Sequence, residues 1–231
     1  MERISWRGDE LRIEPSEVLR FLGYQHRPAS SEILRRIDEE LSEAVALLDP
    51  VALVGGFDAA VAETGLLLDG GVFSKSVTLR ERLAGVDRVW LCAYTIGNRL
   101  DLRVSELSSD AQMARGLVLD KIGIAALDSL QSMVRAWIEN REQPRTVCCR
   151  VFPVQGDLPI ALQAQILTAI GGPNAPISVN SHHQLSPLKS VAVILGIGES
   201  SVAASACAGC EARCLTSSLN RNTSVDSDAP V

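Results

Sequence analysis

A chain of 231 residues that is 46% hydrophobic and 22% charged can bury roughly 70–75% of its unfolded surface, so its core needs no disulfide or metal. Its 22 Lys and Arg against 28 Asp and Glu give a net charge of −6, which argues against nucleic acid or an anionic membrane as its main partner. The charged opening MERISWRGDELRIEPSE is unlike a signal peptide, and Asp120–Lys121 and Asp128 interrupt the longest apolar runs, so the expectation is a cytoplasmic protein without a membrane span.

Residues 1–150 hold 42 of the 50 charged residues, whereas residues 151–231 hold 8 of them and 6 of the 10 prolines. Pro15 opens a short helix that Gly23 closes. Ser30 or Ser31 caps a longer helix in which Leu34, Ile37, Leu41, Val45 and Leu48 recur at helical spacing, with Glu32–Arg36 paired on its solvated side. Strands are predicted over Val51–Phe57, Gly65–Leu68 and Val86–Ile96, with a short helix over Ser76–Leu83 between the last two. Ser109 or Asp110 starts the longest helix, which runs to about Asn140. Its small residues Gly116, Gly123, Ala125 and Ala126 cost helix propensity, so close helix–sheet packing is expected there. Arg145–Val151 reads as a strand, Asp157 or Leu158–Pro159 as the start of a helix to Ile170, and Ile177–Asn180 and Ser190–Ile197 as two more strands. Helices and strands mix without regular βαβ alternation, which predicts a single α+β domain with an at least partly antiparallel sheet. Residues 1–198 form that domain, 199–215 a cysteine-containing extension, and 216–231, rich in Ser, Asn, Asp and Thr, a disordered tail.

No hydrolase constellation stands out: His182–His183 sits in a polar loop, and no G-x-S-x-G surrounds a serine. Gly196-Ile-Gly198 reads as a turn. Cys92 belongs to the core. Cys207, Cys210 and Cys214 form C-x2-C-x3-C, and Cys148–Cys149 lie in a predicted strand. Three thiolates at that spacing hold zinc or an iron–sulfur cluster only if a fourth ligand comes from elsewhere, so free or redox-labile thiols are placed ahead of a metal site. The segment Arg150-Val-Phe-Pro-Val-Gln-Gly-Asp157 leaves a strand, turns at Pro153 and Gly156 and enters a helix, with a fixed cation at the strand end. That arrangement suits a carboxylate or another anion. Asp101 and Asp120 are further pocket candidates, although Asp120 also reads as a helix carboxylate turned to solvent beside Lys121.

Four stretches in order carry a resemblance: Leu91-Cys-Ala-Tyr-Thr-Ile-Gly97, the helix Ala114–Leu130, the turn Arg150–Pro159 with Leu162-Gln163, and Leu185-Ser-Pro-Leu-Lys-Ser-Val191 leading to Gly196-Ile-Gly198. Over roughly residues 10–198 the chain resembles the stand-alone activation (reactivation) domain of cobalamin (vitamin B12)-dependent methionine synthase. The resemblance implies a single α+β domain with a twisted, largely antiparallel sheet packed with long helices, and S-adenosylmethionine as ligand, bound around Arg150, Pro153, Val154, Gln155, Gly156 and Asp157. It implies a partner, the cobalamin-binding methionine synthase core or a related corrinoid protein, with flavodoxin or ferredoxin as electron donor. The task implied is reductive remethylation of cob(II)alamin in trans, the activation component of a methyltransferase in methionine biosynthesis. Where the family has Gly-Tyr-Gly-Asp after Arg-x-x-Pro, this chain has Val154-Gln155-Gly156-Asp157. That departure keeps open a second reading, a non-catalytic corrinoid-protein partner that no longer binds S-adenosylmethionine.

Overall fold

Antiparallel pairing between strands far apart in sequence builds the molecule, and the computed structural model describes residues 1–24, 27–63, 65–172 and 175–199. In chain order the elements are β1 (Glu2–Ser5), α1 (Pro15–Phe21), α2 (Ser31–Leu47), β2 (Val51–Ala62), β3 (Gly65–Leu68), β4 (Gly71–Ser74), α3 (Val77–Arg82), β5 (Arg88–Thr95), α4 (Arg99–Ser109), α5 (Met113–Glu142), β6 (Thr146–Val151), α6 (Leu162–Ile170), β7 (Ser178–Val179), β8 (Leu185–Ser186) and β9 (Ser190–Gly198). The main sheet runs β4-β3-β2-β5-β9-β6, with β1 also on β2, and β7 pairs β8 in a separate hairpin. Every pairing is antiparallel. The α+β class read from the sequence is therefore the class observed.

Period-two alternation sends side chains to two cores, which is why the central strands read as nearly continuous apolar runs. Ala52 and Val54 of β2, Trp90, Cys92 and Tyr94 of β5, and Val193, Leu195 and Ile197 of β9 face one core, covered by α1, α2, α4 and α5. Leu53, Val89, Leu91, Ala93, Ala192 and Ile194 face the other, covered by α3 and α6 through Leu79, Leu83, Leu162, Ile166 and Ile170. The register places Cys92 opposite Val193 and Trp90 opposite Leu195, same face on same face. Cys92 is fully buried, as expected.

Several elements depart from the sequence reading. The long helix expected from Ser109 or Asp110 is α5, which starts at Met113, and a helix the sequence reading did not contain, α4, precedes it, with Ala111 in left-handed conformation (φ 58°) at the break between the two. Gly116 faces Val104, Leu107 and Ser108 of α4, so the packing there is helix on helix. In α2, Ser30 caps the helix by accepting the Ile33 N–H, but Leu34 is 42% exposed. Glu40 of the same helix is buried, and the Arg115 guanidinium of α5 meets its two oxygens at 2.6 and 3.2 Å. Arg36, expected to pair with Glu32, lies 3.9 Å from Glu39 and 4.0 Å from Glu40. Residues 152–161 form turns, so α6 begins at Leu162 and not at Asp157–Pro159. Gly196-Ile-Gly198 is part of strand β9, not a turn.

Candidate functional site

The site region is organised by an irregularity in β6. Thr146 and Val147 pair Gly198 and Ile197, but Cys149 pairs Gly196, so Cys148 is an extra residue in the strand. Such a bulge re-aims side chains. Val147 and Arg150 face α5, in register with Ile197 and Leu195 of that core, while Val151 enters the core under α3 and α6. Arg150 is half-buried. It lies within electrostatic reach of the Tyr94 hydroxyl, as does Asp128 of α5. Tyr94 donates to Gln131 Oε1 at 2.9 Å, and burial pushes its phenol well above the ordinary tyrosine value.

After Val151 the chain wraps around the edge of the sheet. Pro153 is buried, and the Phe152 N–H donates to Gln155 Oε1 at 2.9 Å, so the Gln155 amide closes the turn. Val154 has φ 68° and is 66% exposed. A β-branched residue in left-handed backbone costs about 1–2 kcal/mol relative to ordinary conformations. The turn thus keeps a glycine-type conformation at a position occupied by valine. Gly156 is also left-handed (φ 56°), and a Cβ there would stand 2.0 Å from Thr78 Oγ1.

That close approach docks the turn on α3. The Asp157 carboxylate accepts from Ser76 Oγ at 2.6 Å, from the Val77 N–H at 2.8 Å and from the Thr78 N–H at 3.0 Å. The Ser76 and Thr78 hydroxyls and the two amides hold this carboxyl far below the ordinary carboxylate range. Asp157 therefore satisfies the first turn of α3, and its own N–H donates to Thr78 Oγ1 at 3.3 Å. Beside it opens a recess of about 460 Å³ lined by Glu63, Lys75, Ser76, Val77, Arg80 and Asp157. Of the six residues named from the sequence, Arg150 lies on the α5 side of the sheet and Asp157 on the α3 side, with Pro153–Gly156 spanning the edge between them.

Asp101 and Asp120 come together away from this turn, around a residue the sequence reading did not name. Lys189, 8% exposed, donates from Nζ to Asp101 Oδ1 at 2.5 Å and to Asp120 Oδ1 at 2.8 Å. Asp120 also meets Lys121 at 3.0 Å, so it is bound on both sides and not merely turned to solvent. The lysine stem passes over Gly123, where a Cβ would come within 2.6 Å of it. The small residue noted in α5 therefore makes room for a lysine, not for the sheet. Burial alone would lower the Lys189 pKa, but the two carboxylates raise it; burial would raise that of Asp120, but Lys189 and Lys121 lower it. The Lys189 carbonyl accepts from Thr95 Oγ1 and the Ile96 N–H, so the residue is fixed at both ends.

His182 and His183 sit on an exposed turn closed by Asn180, whose Oδ1 accepts from the His182 and Gln184 N–H groups. Among the described residues no group of three or more His, Cys, Asp or Glu is placed to hold a metal ion. Cys207, Cys210 and Cys214, and the extension and tail proposed over 199–231 apart from Glu199, lie outside the described residues. Among those described, no helix is long and apolar enough to cross a membrane.

No family model matches the chain, and no curated protein matches it. A solved structure does: a crystal structure of the MetH reactivation domain bound to AdoHcy, at 13% identity, covers 87% of this chain and 79% of its own, with a TM-score of 0.66. The chain has the fold of a methionine synthase reactivation domain.

Proposed function

We propose that the chain is an accessory subunit that supports S-adenosylmethionine-dependent reactivation of cob(II)alamin on a cobalamin-dependent methionine synthase, acting in trans. What supports this most is the turn after β6, where Arg150 is followed by left-handed backbone at residues 154 and 156 within the fold just described. The same fold in the MetH domain holds AdoHcy, the demethylated form of S-adenosylmethionine. A guanidinium suits the carboxylate of such a ligand in a forked geometry, and the exposed left-handed peptides of the turn are open to close approach. In the reaction, one electron from a flavodoxin or ferredoxin reduces the partner's cobalt to Co(I), and the methyl group of S-adenosylmethionine passes to it, leaving S-adenosylhomocysteine. The chain then supplies binding and orientation rather than an acid or base, in keeping with a turn that offers none.

The test is anaerobic. A cob(II)alamin-loaded methionine synthase core lacking its own reactivation domain is mixed with reduced flavodoxin and S-adenosylmethionine. Methylcobalamin should accumulate only when the chain is added. In calorimetric titration, Arg150→Ala should weaken S-adenosylmethionine binding by about 1.5–3 kcal/mol, and Arg150→Lys by less.

The exposed Val154 side chain and the Gln155 amide, committed to the Phe152 N–H, favour a second reading, a non-catalytic corrinoid-protein partner. No heat with S-adenosylmethionine, together with a stable complex with the cobalamin-loaded core, would select it.

A further inference from the structure

We propose that Cys148 and Cys149 are a redox modification site, a vicinal dithiol that a small disulfide of the glutathione class closes reversibly into a Cys148–Cys149 bond. In a regular strand, adjacent side chains point to opposite faces, which keeps neighbouring thiols apart. Here Cys148 is the extra residue of the bulge in β6, and both thiols pack against the core under α3 and α6. Their sulfur atoms are 3.9 Å apart. A disulfide requires about 2.05 Å, so closure asks for a movement of about 2 Å shared by two side chains. The facing strand leaves them the space. Both β9 residues opposite are glycine: a Cβ at Gly196 would stand 2.4 Å from Cys149 Sγ, and one at Gly198 would stand 2.9 Å from Cys148 Sγ.

Both cysteines are half-buried on the outermost strand of the sheet, within reach of a small reagent, whereas Cys92 is fully buried. The two thiols react in a set order. Burial and the neighbouring Cys148 push the Cys149 thiol up to about 12, and Arg82 offsets only part of this. Cys149 is therefore the poorer first nucleophile, and the first attack falls to Cys148. Its thiolate attacks one sulfur of the small disulfide RSSR, forms a mixed disulfide and expels RS⁻. A bonded Cys148 carries no charge to oppose ionisation of Cys149. The Cys149 thiolate then attacks Cys148 Sγ and expels the second RS⁻. The pair gives up two electrons and two protons, RSSR becomes two RSH, and no other reactant is needed.

Adjacent Cα atoms are about 3.8 Å apart, below the usual disulfide range of about 4.4–6.8 Å, so the bond is strained and readily reduced. Such a bond is labile and regulatory rather than structural. Arg150 follows Cys149 directly, so closing the ring shifts the backbone that carries it. On the function proposed above, on which this consequence rests, oxidation weakens S-adenosylmethionine binding.

The whole chain, reduced and freed of small thiols, is incubated with oxidised glutathione. Remaining thiols are alkylated and the chain is digested with trypsin. Cleavage after Arg145 and Arg150 releases residues 146–150, which hold both cysteines and no other. That peptide should be unalkylated and two hydrogens lighter than its reduced form, and dithiothreitol before alkylation should return it to the doubly alkylated form. Cys149→Ser should trap a glutathione adduct on Cys148, while Cys148→Ser should carry at least tenfold less adduct. Cys92 should stay reduced. In calorimetric titration the oxidised chain should bind S-adenosylmethionine at least tenfold more weakly than the reduced chain. A 146–150 peptide that stays reduced, or one linked instead to another cysteine peptide, would overturn the modification site. Equal affinity of the two forms would overturn its effect on Arg150. A reduced chain that binds no S-adenosylmethionine would count against the proposed function alone, because the peptide mass decides the dithiol without it.

Discussion

Two cations approach α5 from the sheet side, and the protein treats them differently. Lys189 is buried, bound by Asp101 and Asp120, and tied down through its own carbonyl. Arg150 is half-buried at the end of an edge strand, next to a turn that holds Val154 in a conformation valine disfavours. One charge is neutralised where it fixes the loop before β9 between two helices. The other stands beside strained, exposed backbone. Strain and exposure concentrate where ligands are met, and satisfied charge where the scaffold must not move. The comparison is in keeping with the proposed site at the β6 edge and with an architectural role for Lys189.

The strongest way to break that comparison is to remove Lys189. Lys189→Met removes the cation that Asp101 and Asp120 share, leaving Asp120 with Lys121 alone, and should cost about 3–5 kcal/mol in urea unfolding, with S-adenosylmethionine affinity of the folded fraction unchanged. The pH dependence should follow. Asp120 has a lowered pKa, so its contribution is present above the ordinary carboxylate value of about 3.9 and is lost as pH falls through the lowered one. Lys189 has a raised pKa, so its contribution is full below about 10.4 and is lost as pH rises through the raised one. Both flanks should flatten in the variant. An undiminished midpoint would overturn the architectural role of Lys189.

Gly156→Ala addresses the dock between turn and α3. The left-handed backbone and the 2.0 Å approach to Thr78 Oγ1 should together cost roughly 2 kcal/mol. Thr78→Ala in the same chain should restore part of this, since it removes the clash but not the backbone penalty. No rescue would mean that backbone strain alone sets the loss.

Val154→Gly should act in the opposite direction. It relieves a left-handed valine, so thermal unfolding should show a gain of up to about 1 kcal/mol after glycine's greater unfolded-state entropy is subtracted. Combined with Gln155→Tyr it should also raise S-adenosylmethionine affinity. Stabilisation without tighter binding would separate strain from ligand recognition. The smallest effect is expected from deleting residues 207–231: in metal-free buffer the melting transition should stay cooperative at the same temperature.

The legible parts of the fold are those whose signal is local. Gly65–Leu68, the Ser30 cap and the apolar strands around Cys92 and Val193 follow from composition and spacing. The sequence Arg99–Ser109 did not read as a helix because only Leu100 and Leu107 of its eleven residues are buried. β1 and β4 are four residues each and largely exposed, too short to show alternation. Within the site, Arg150 and the turn were visible as a motif. The Lys189 cluster was not, because Lys189 lies 88 residues from Asp101 and 69 from Asp120. Gly123 was its only trace, a small residue in a helix with no local reason to be small. Likewise, Cys148–Cys149 gave no hint that a bulge would aim both thiols to one side.

The irregular strand that aims those thiols also governs association. β6 and β4 end the main sheet, and an open rim invites another chain to extend it by backbone pairing. The rim at β6 is six residues long and broken by its extra residue after the second, which leaves no straight run of amides for an incoming strand to follow. The β4 rim is four residues long. Such blunt ends give another copy of the chain little to pair with, so extension of the sheet from molecule to molecule is disfavoured.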